Sequence, residues 1–220
     1  MQSMLQLAFY LVVLIFSVMI HEVAHGITAY RLGDPTAKLA GRLTFNPLKH
    51  IDPFGSLLFP FLLFIAGLPI IGWAKPVPYN PYNLTKDYKY GPLKVALAGP
   101  FSNLFILIIF GLLARLTVSF FNPITIGLFG FVAYLNVLLA VFNLLPLPPL
   151  DGSRILPLIL PARYAAAFER IGIGGILLVF LFLFLFADKL NFAVEKLFLF
   201  VAGPDVLFMT NHIVQQIFSS

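Results

Sequence analysis

Cysteine is absent from this chain, and charged side chains make up only 10% of it. The first absence excludes disulfides and thiolate ligands, so any metal must be held by His, Asp or Glu. It leaves the redox compartment undecided. The scarcity of charge excludes a soluble domain built around a large core. Of the 220 residues, 60% are hydrophobic and 25 are Phe, and several apolar runs approach or exceed the length that spans a bilayer. A long polar stretch is missing too. The longest, roughly 72–94, is a loop, so the sequence is read as a single membrane-embedded domain over 1–220, with a core at about 5–160 and C-terminal helices at about 163–218. The N-terminus has no positive region and no small-residue cleavage site, so it is not read as a removable signal. The net charge is +5, but the basic residues are scattered between apolar segments, with no basic-aromatic platform, and no nucleic-acid partner is expected. No period of 20–50 residues repeats.

What is present is His21-Glu22-Val23-Ala24-His25 at the far end of an apolar run. On a helix, positions i and i+4 share a face one turn apart. His21 and His25 can therefore offer two imidazole nitrogens to one ion, with Glu22 beside them to take a proton from water. The alternative is a pair of core histidines on a buried helix face. Two His and a Glu in hydrocarbon without a purpose are expensive, at about 2.5–3.5 kcal/mol for a charged carboxylate, which favours the metal reading.

The first expected span, 5–30, is about 39 Å of helix, and His21 lies about 24 Å along it, near the exit from the hydrocarbon layer. Arg31, Lys38, Arg42 and Lys49 follow, which makes that exit cytoplasmic and the N-terminus external. Weak alternation over 38–46, with Arg42 and Thr44 opposed to Leu43 and Phe45, predicts a short strand that could hold an unwound substrate by edge pairing, against the alternative of a surface loop. The segment 55–72 is apolar but broken by Pro60, Gly67 and Pro69. A single crossing there would turn Lys75, Lys86, Lys89 and Lys94 outward, so it is read as re-entrant or a membrane-embedded hairpin. Further spans are expected at 92–121, where Pro100 kinks or starts the deep helix and Asn103 lies within the membrane, at 124–145, and at 171–187. Gly172 and Gly175 would permit close packing of the last span. From 190 onward an interfacial helix and a further span fit equally. The fold class is an all-α polytopic membrane bundle with a core of three spans carrying the metal, plus a short membrane-associated β-hairpin or re-entrant segment.

A catalytic zinc takes three protein ligands and keeps one position open. The candidates for the third are His50, in a basic turn at the membrane surface, His212 in the ambiguous tail, and the remaining carboxylates. Asp151 follows the proline-rich end of the third span, returns to the side of the membrane that carries His21, and sits at a helix break that could bend it inward. Its alternative is a simple turn residue in Leu-Asp-Gly. Asn136 and Asn143, seven apart, share one helix face.

The chain resembles the site-2 protease family of intramembrane zinc metalloproteases. The resemblance rests on His21-Glu22-Val23-Ala24-His25-Gly26, Gly99-Pro100-Phe101-Ser102-Asn103, and Asn143-Leu144-Leu145-Pro146-Leu147-Pro148-Pro149-Leu150-Asp151-Gly152, in the family's order over roughly 5–160. Arg42-Leu43-Thr44-Phe45-Asn46-Pro47 and Gly72-Trp73-Ala74-Lys75-Pro76-Val77-Pro78 resemble its compact branch, which lacks PDZ and CBS modules. The resemblance implies one Zn2+ per chain held by His21, His25 and Asp151, Glu22 as general acid/base, and Asn143 near the metal, binding substrate or steadying the oxyanion. It implies packing support from Asn103. Arg42, Leu43, Thr44 and Phe45 are candidates for substrate binding or structural support. The implied partners are a transmembrane protein substrate and the lipid bilayer of the cell membrane, with the active site toward the cytoplasm and a homo-oligomer left open. Two rival readings are an intramembrane metal transporter and an inactive scaffold.

Overall fold

The computed structural model describes residues 2–58, 62, 65 and 75–218, and among them no strand forms. Among the same residues, four helices are long and apolar enough to cross a membrane: Ala8–Arg31, Gly91–Thr117, Pro123–Asn143 and Ile176–Ala202. The chain divides into two compact units, Met1–Leu14 with Gly99–Ser220, and Ile15–Ala98.

In the unit Ile15–Ala98, helix α1 (Gln2–Arg31) contributes its second half. It ends where Gly33 takes φ 114, a conformation that L side chains rarely adopt, and the Asp34 amide closes the last turn on Ala29 O. Asp34, wholly buried, then ties this exit to a distant loop. Its carboxylate accepts from the Thr36 amide and hydroxyl, the Asn80 amide and the Asn83 side chain. A small core of Ala29, Leu84 and Val95 lies beneath.

The strand expected over 38–46 is not there. Thr36–Leu39 forms a single helical turn, α2, Gly41 enters the left-handed region at φ 63, and the Arg42 amide bonds back to Ala37 O. A helix end stapled by a left-handed glycine curls the chain, so the alternation in sequence has no extended backbone to act on. Asn46 accepts from the Leu48 amide and opens a 3-10 turn, Pro47–Lys49. A wide helical turn covers Pro53–Leu58. The remainder of the re-entrant reading of 55–72 lies outside the described residues, apart from 62 and 65. A second 3-10 turn, Pro81–Asn83, precedes helix α3 (Gly91–Thr117).

The other unit is organised around helix α4 (Pro123–Asn143), whose N-terminus is capped by Asn122 Oδ1 on the Thr125 amide at 2.9 Å. Its buried face carries Ile126, Ala133 and Val137 against Leu107 and Ala114 of α3. Val194 and Phe198 of helix α7 (Ile176–Ala202) and Val206 of helix α8 (Pro204–Phe218) complete this core. Val13 of α1 packs with Phe131, Leu135 and Ile213 in a second cluster. Helix α3 runs through Pro100 without ending. Between α4 and α7 lie a short 3-10 turn, Asp151–Arg154, the helix α5 (Leu156–Ile159), the helix α6 (Ala162–Ile171) and a further 3-10 turn, Gly172–Gly175.

The last expected span needs correcting. It begins at Ile176 rather than 171 and continues to Ala202, bent at Phe186, whose φ of −132 is not helical. Its charged residues Asp188, Lys189, Glu195 and Lys196 all lie beyond that bend. Gly175 does allow close packing, since a Cβ there would collide with Pro148 O, whereas Gly172 has open space around it.

Candidate active site

The second half of α1 carries His21 and His25 one turn apart with Glu22 next to His21, and the three converge. Ligand atoms of His21, Glu22 and His25 all lie within 4.8 Å of one another. The two imidazoles are buried, at 6% and 9% exposure, and meet edge to face with ring centroids 4.6 Å apart. His25 Nδ1 lies 2.7 Å from Val95 O. A carbonyl can only accept, so this contact puts a proton on Nδ1 and leaves Nε2 as the nitrogen that can ligate from the neutral ring, the arrangement by which metal-ligating histidines are oriented. Two imidazoles and a carboxylate, with no sulfur, form a nitrogen and oxygen donor set that suits zinc.

Glu22 is half-buried, and its Oε2 accepts the Val77 amide at 2.8 Å. Gly26, one turn further on, has the space such a contact requires. A Cβ there would meet Leu43 Cδ2 at 2.6 Å and Val77 Cγ1 at 2.8 Å. The glycine after the second histidine therefore admits two side chains against α1.

Arg42 is only 7% exposed. Its Nη1 donates to Lys49 O, and its Nη2 reaches Lys75 O at 2.6 Å and Pro76 O at 3.3 Å. Leu43 and Thr44 are half-buried and Phe45 is exposed. His50 is 4% exposed, with Nε2 2.9 Å from Thr44 O. His212 is exposed on α8.

Asp151 belongs to the other unit, at the start of the 3-10 turn Asp151–Arg154. Gly152 explains how that turn is seated. A Cβ there would collide with Leu144 O, so only glycine lets the turn fold back onto the end of α4, next to Asn143. Asn143 Nδ2 donates to Leu139 O at 3.0 Å. Asn103 and Asn136 are fully buried, with Asn103 Nδ2 donating to Asn136 Oδ1 at 2.7 Å. The sequence reading missed the Val77 amide. Its signal was Pro76-Val77-Pro78, where prolines on both sides leave one backbone donor.

Residues 120–187 match the model of Peptidase family M50. The chain is 42% identical over 183 residues to the Bacillus subtilis (strain 168) protein named "Putative zinc metalloprotease YwhC", covering 80% of each chain. It is 37% identical over 141 residues to "Putative zinc metalloprotease Rip2" of Mycobacterium tuberculosis (strain H37Rv), covering 62% of this chain and 51% of that one. A shorter match, 42% over 67 residues, links it to "Putative zinc metalloprotease MJ0611" of Methanocaldococcus jannaschii, with 29% of this chain and 32% of that one covered. No solved structure matches the chain significantly. On the extent of the likeness to YwhC, this chain belongs to peptidase family M50, the site-2 protease family, and is a zinc-dependent membrane peptidase.

Proposed function

We propose that the chain is an intramembrane endopeptidase of one membrane-embedded domain, which hydrolyses peptide bonds in or beside the transmembrane segments of other membrane proteins. The observation that supports it most is the convergence of the half-buried Glu22 with the buried His21 and His25, with His25 oriented by Val95 O. His21 and His25 hold the metal, and Asp151 is assigned as the third ligand from its place in the motif and the direction of the spans. Zinc held there supplies Lewis-acid polarisation and acidifies water toward neutral pH.

Glu22 takes the proton from the attacking water and returns it to the departing amine. Asn143 spends one Nδ2 hydrogen on Leu139 O, and its other amide hydrogen is assigned to the developing oxyanion. A helical substrate hides its carbonyls in hydrogen bonds, so it unwinds locally before attack. The cell membrane is the assigned location, with the site toward the cytoplasm, because Arg31, Lys38 and Lys49 follow the metal motif.

The test measures zinc per chain together with cleavage of a single-span reporter peptide carrying a fluorophore and quencher, in detergent micelles. Wild type is expected to hold about one zinc and cut the peptide. Glu22→Gln keeps the zinc and loses about 100-fold or more in rate. Equal cleavage by the two proteins ends the proteolytic assignment.

A further inference from the structure

Lys75 to Asn80 runs as a strap with no helix or strand of its own within the unit Ile15–Ala98. Proline has no amide hydrogen, so Val77 supplies the single backbone donor of Pro76-Val77-Pro78. A residue before proline is also held extended, which restrains Lys75 and Val77. The one donor left by this sequence is committed to Glu22 Oε2 at 2.8 Å.

The strap is anchored on both sides of that contact. Upstream, Arg42 grips the Lys75 and Pro76 carbonyls, and the Lys75 amide donates to His50 O at 2.9 Å. Downstream, the Asn80 amide donates to Asp34 Oδ2 at 2.7 Å. The Val77 side chain packs at Gly26, one turn beyond Glu22 on α1. Arg42 is the part of this clamp with no obvious need to be charged. It is buried, and the acceptors it reaches are main-chain carbonyls of two separate segments, a task suited to a planar fork of five donors.

We propose that Arg42 is a positioning residue of the reaction. By gripping the Lys75 and Pro76 carbonyls it sets the Val77 amide against Glu22, which fixes one carboxylate oxygen and leaves the other to carry the proton between water and the leaving amine. The carboxylate's last torsion is intrinsically broad, so an unpinned Glu22 spends much of its time misaligned. This inference rests on the reading of Glu22 as the general base.

Hydrogen exchange on the zinc-loaded full chain in micelles tests the linkage without substrate. Between Pro76 and Pro78 the Val77 amide exchanges alone. It is expected to be protected in wild type and to exchange about tenfold faster or more in Arg42→Gln and in Glu22→Ala, because each removes one end of the clamp. Cleavage of the single-span reporter tests the consequence. Arg42→Lys and Val77→Pro are each expected to lower kcat about 10- to 100-fold, with KM and zinc per chain held within about twofold. Neither is expected to lower the residual rate of Glu22→Gln further. Val77→Pro removes the amide donor without touching Arg42, and carries the test if an Arg42 variant fails to fold.

Unchanged Val77 exchange in Arg42→Gln overturns the inference, as does unchanged kcat in Val77→Pro. A joint fall of kcat, zinc and affinity in Arg42→Lys also overturns it, since that marks a plain structural staple. A wild-type protein that binds zinc but leaves the reporter uncut overturns the proteolytic reading instead, while the exchange result still decides whether Arg42 holds Val77 on Glu22.

Discussion

His25 Nδ1 lies 2.7 Å from the carbonyl oxygen of Val95, across 70 residues of sequence. That contact fixes the ring's tautomer and its angle before any metal arrives. His25→Ala is expected to reduce zinc to background, read by elemental analysis of the purified protein. His50→Gln is expected to retain zinc at the wild-type level. Zinc loss in His50→Gln would transfer a ligand role to His50.

Asp34 is expected to set the acid limit of stability. Burial alone pushes its carboxyl up, but hydrogen bonds from the Thr36 hydroxyl, the Asn80 amide, the Asn83 side chain and the Thr36 amide outweigh it and hold the group below the usual aspartate value. A depressed carboxyl contributes stability that is complete above about pH 4 and is lost as the pH falls through the lowered value. The thermal midpoint of wild type is expected to decline below about pH 4. A neutral amide in place of the carboxylate is not equivalent, so the variant is read by slope: Asp34→Asn costs about 1–3 kcal/mol and flattens the acid limb.

Gly130 lies against Thr210 so closely that a Cβ would overlap Thr210 Oγ1 and stand 2.9 Å from Val206 Cγ1. The hydroxyl is held on Val206 O at 2.7 Å, which restrains its retreat. Gly130→Ala is expected to destabilise by about 1–3 kcal/mol, more than alanine gains in helix propensity. Adding Thr210→Ala recovers part of the loss. Unfolding in denaturing detergent measures both, and a neutral Gly130→Ala would show that α4 and α8 can separate without cost.

Asn103 and Asn136 form a buried pair, and Asn136 Nδ2 also donates to Val132 O at 2.9 Å. Asn103→Leu is expected to cost about 1–2 kcal/mol by stranding a polar partner, near the upper end for hydrogen bonds inside membranes. Replacing both by Leu returns some of that stability. The same unfolding assay compares the single and double variants.

The metal pair was legible because it is local. Residues four apart on a continuous apolar helix share a face whatever surrounds them, and that placed His21 and His25 together. The apolar run lengths located the first three long helices to within a few residues at most ends. The strand over 38–46 failed because alternation describes side chains, whereas Gly41 and the Arg42 amide set the backbone into a curl. The last long helix outruns its expected end because its charges read as an exit in sequence, although a helix with an exposed face carries them without ending.

Composition and periodicity thus settled that this is a helical membrane protein with a histidine–glutamate–histidine face, because both follow from bonding rules that act over one turn or one bilayer thickness. Folding alone decided that Val95 orients His25, that Val77 meets Glu22 and that Arg42 holds the strap between them. Those partners are 33 to 70 residues apart in the chain, and no short-range preference of the backbone could have named them.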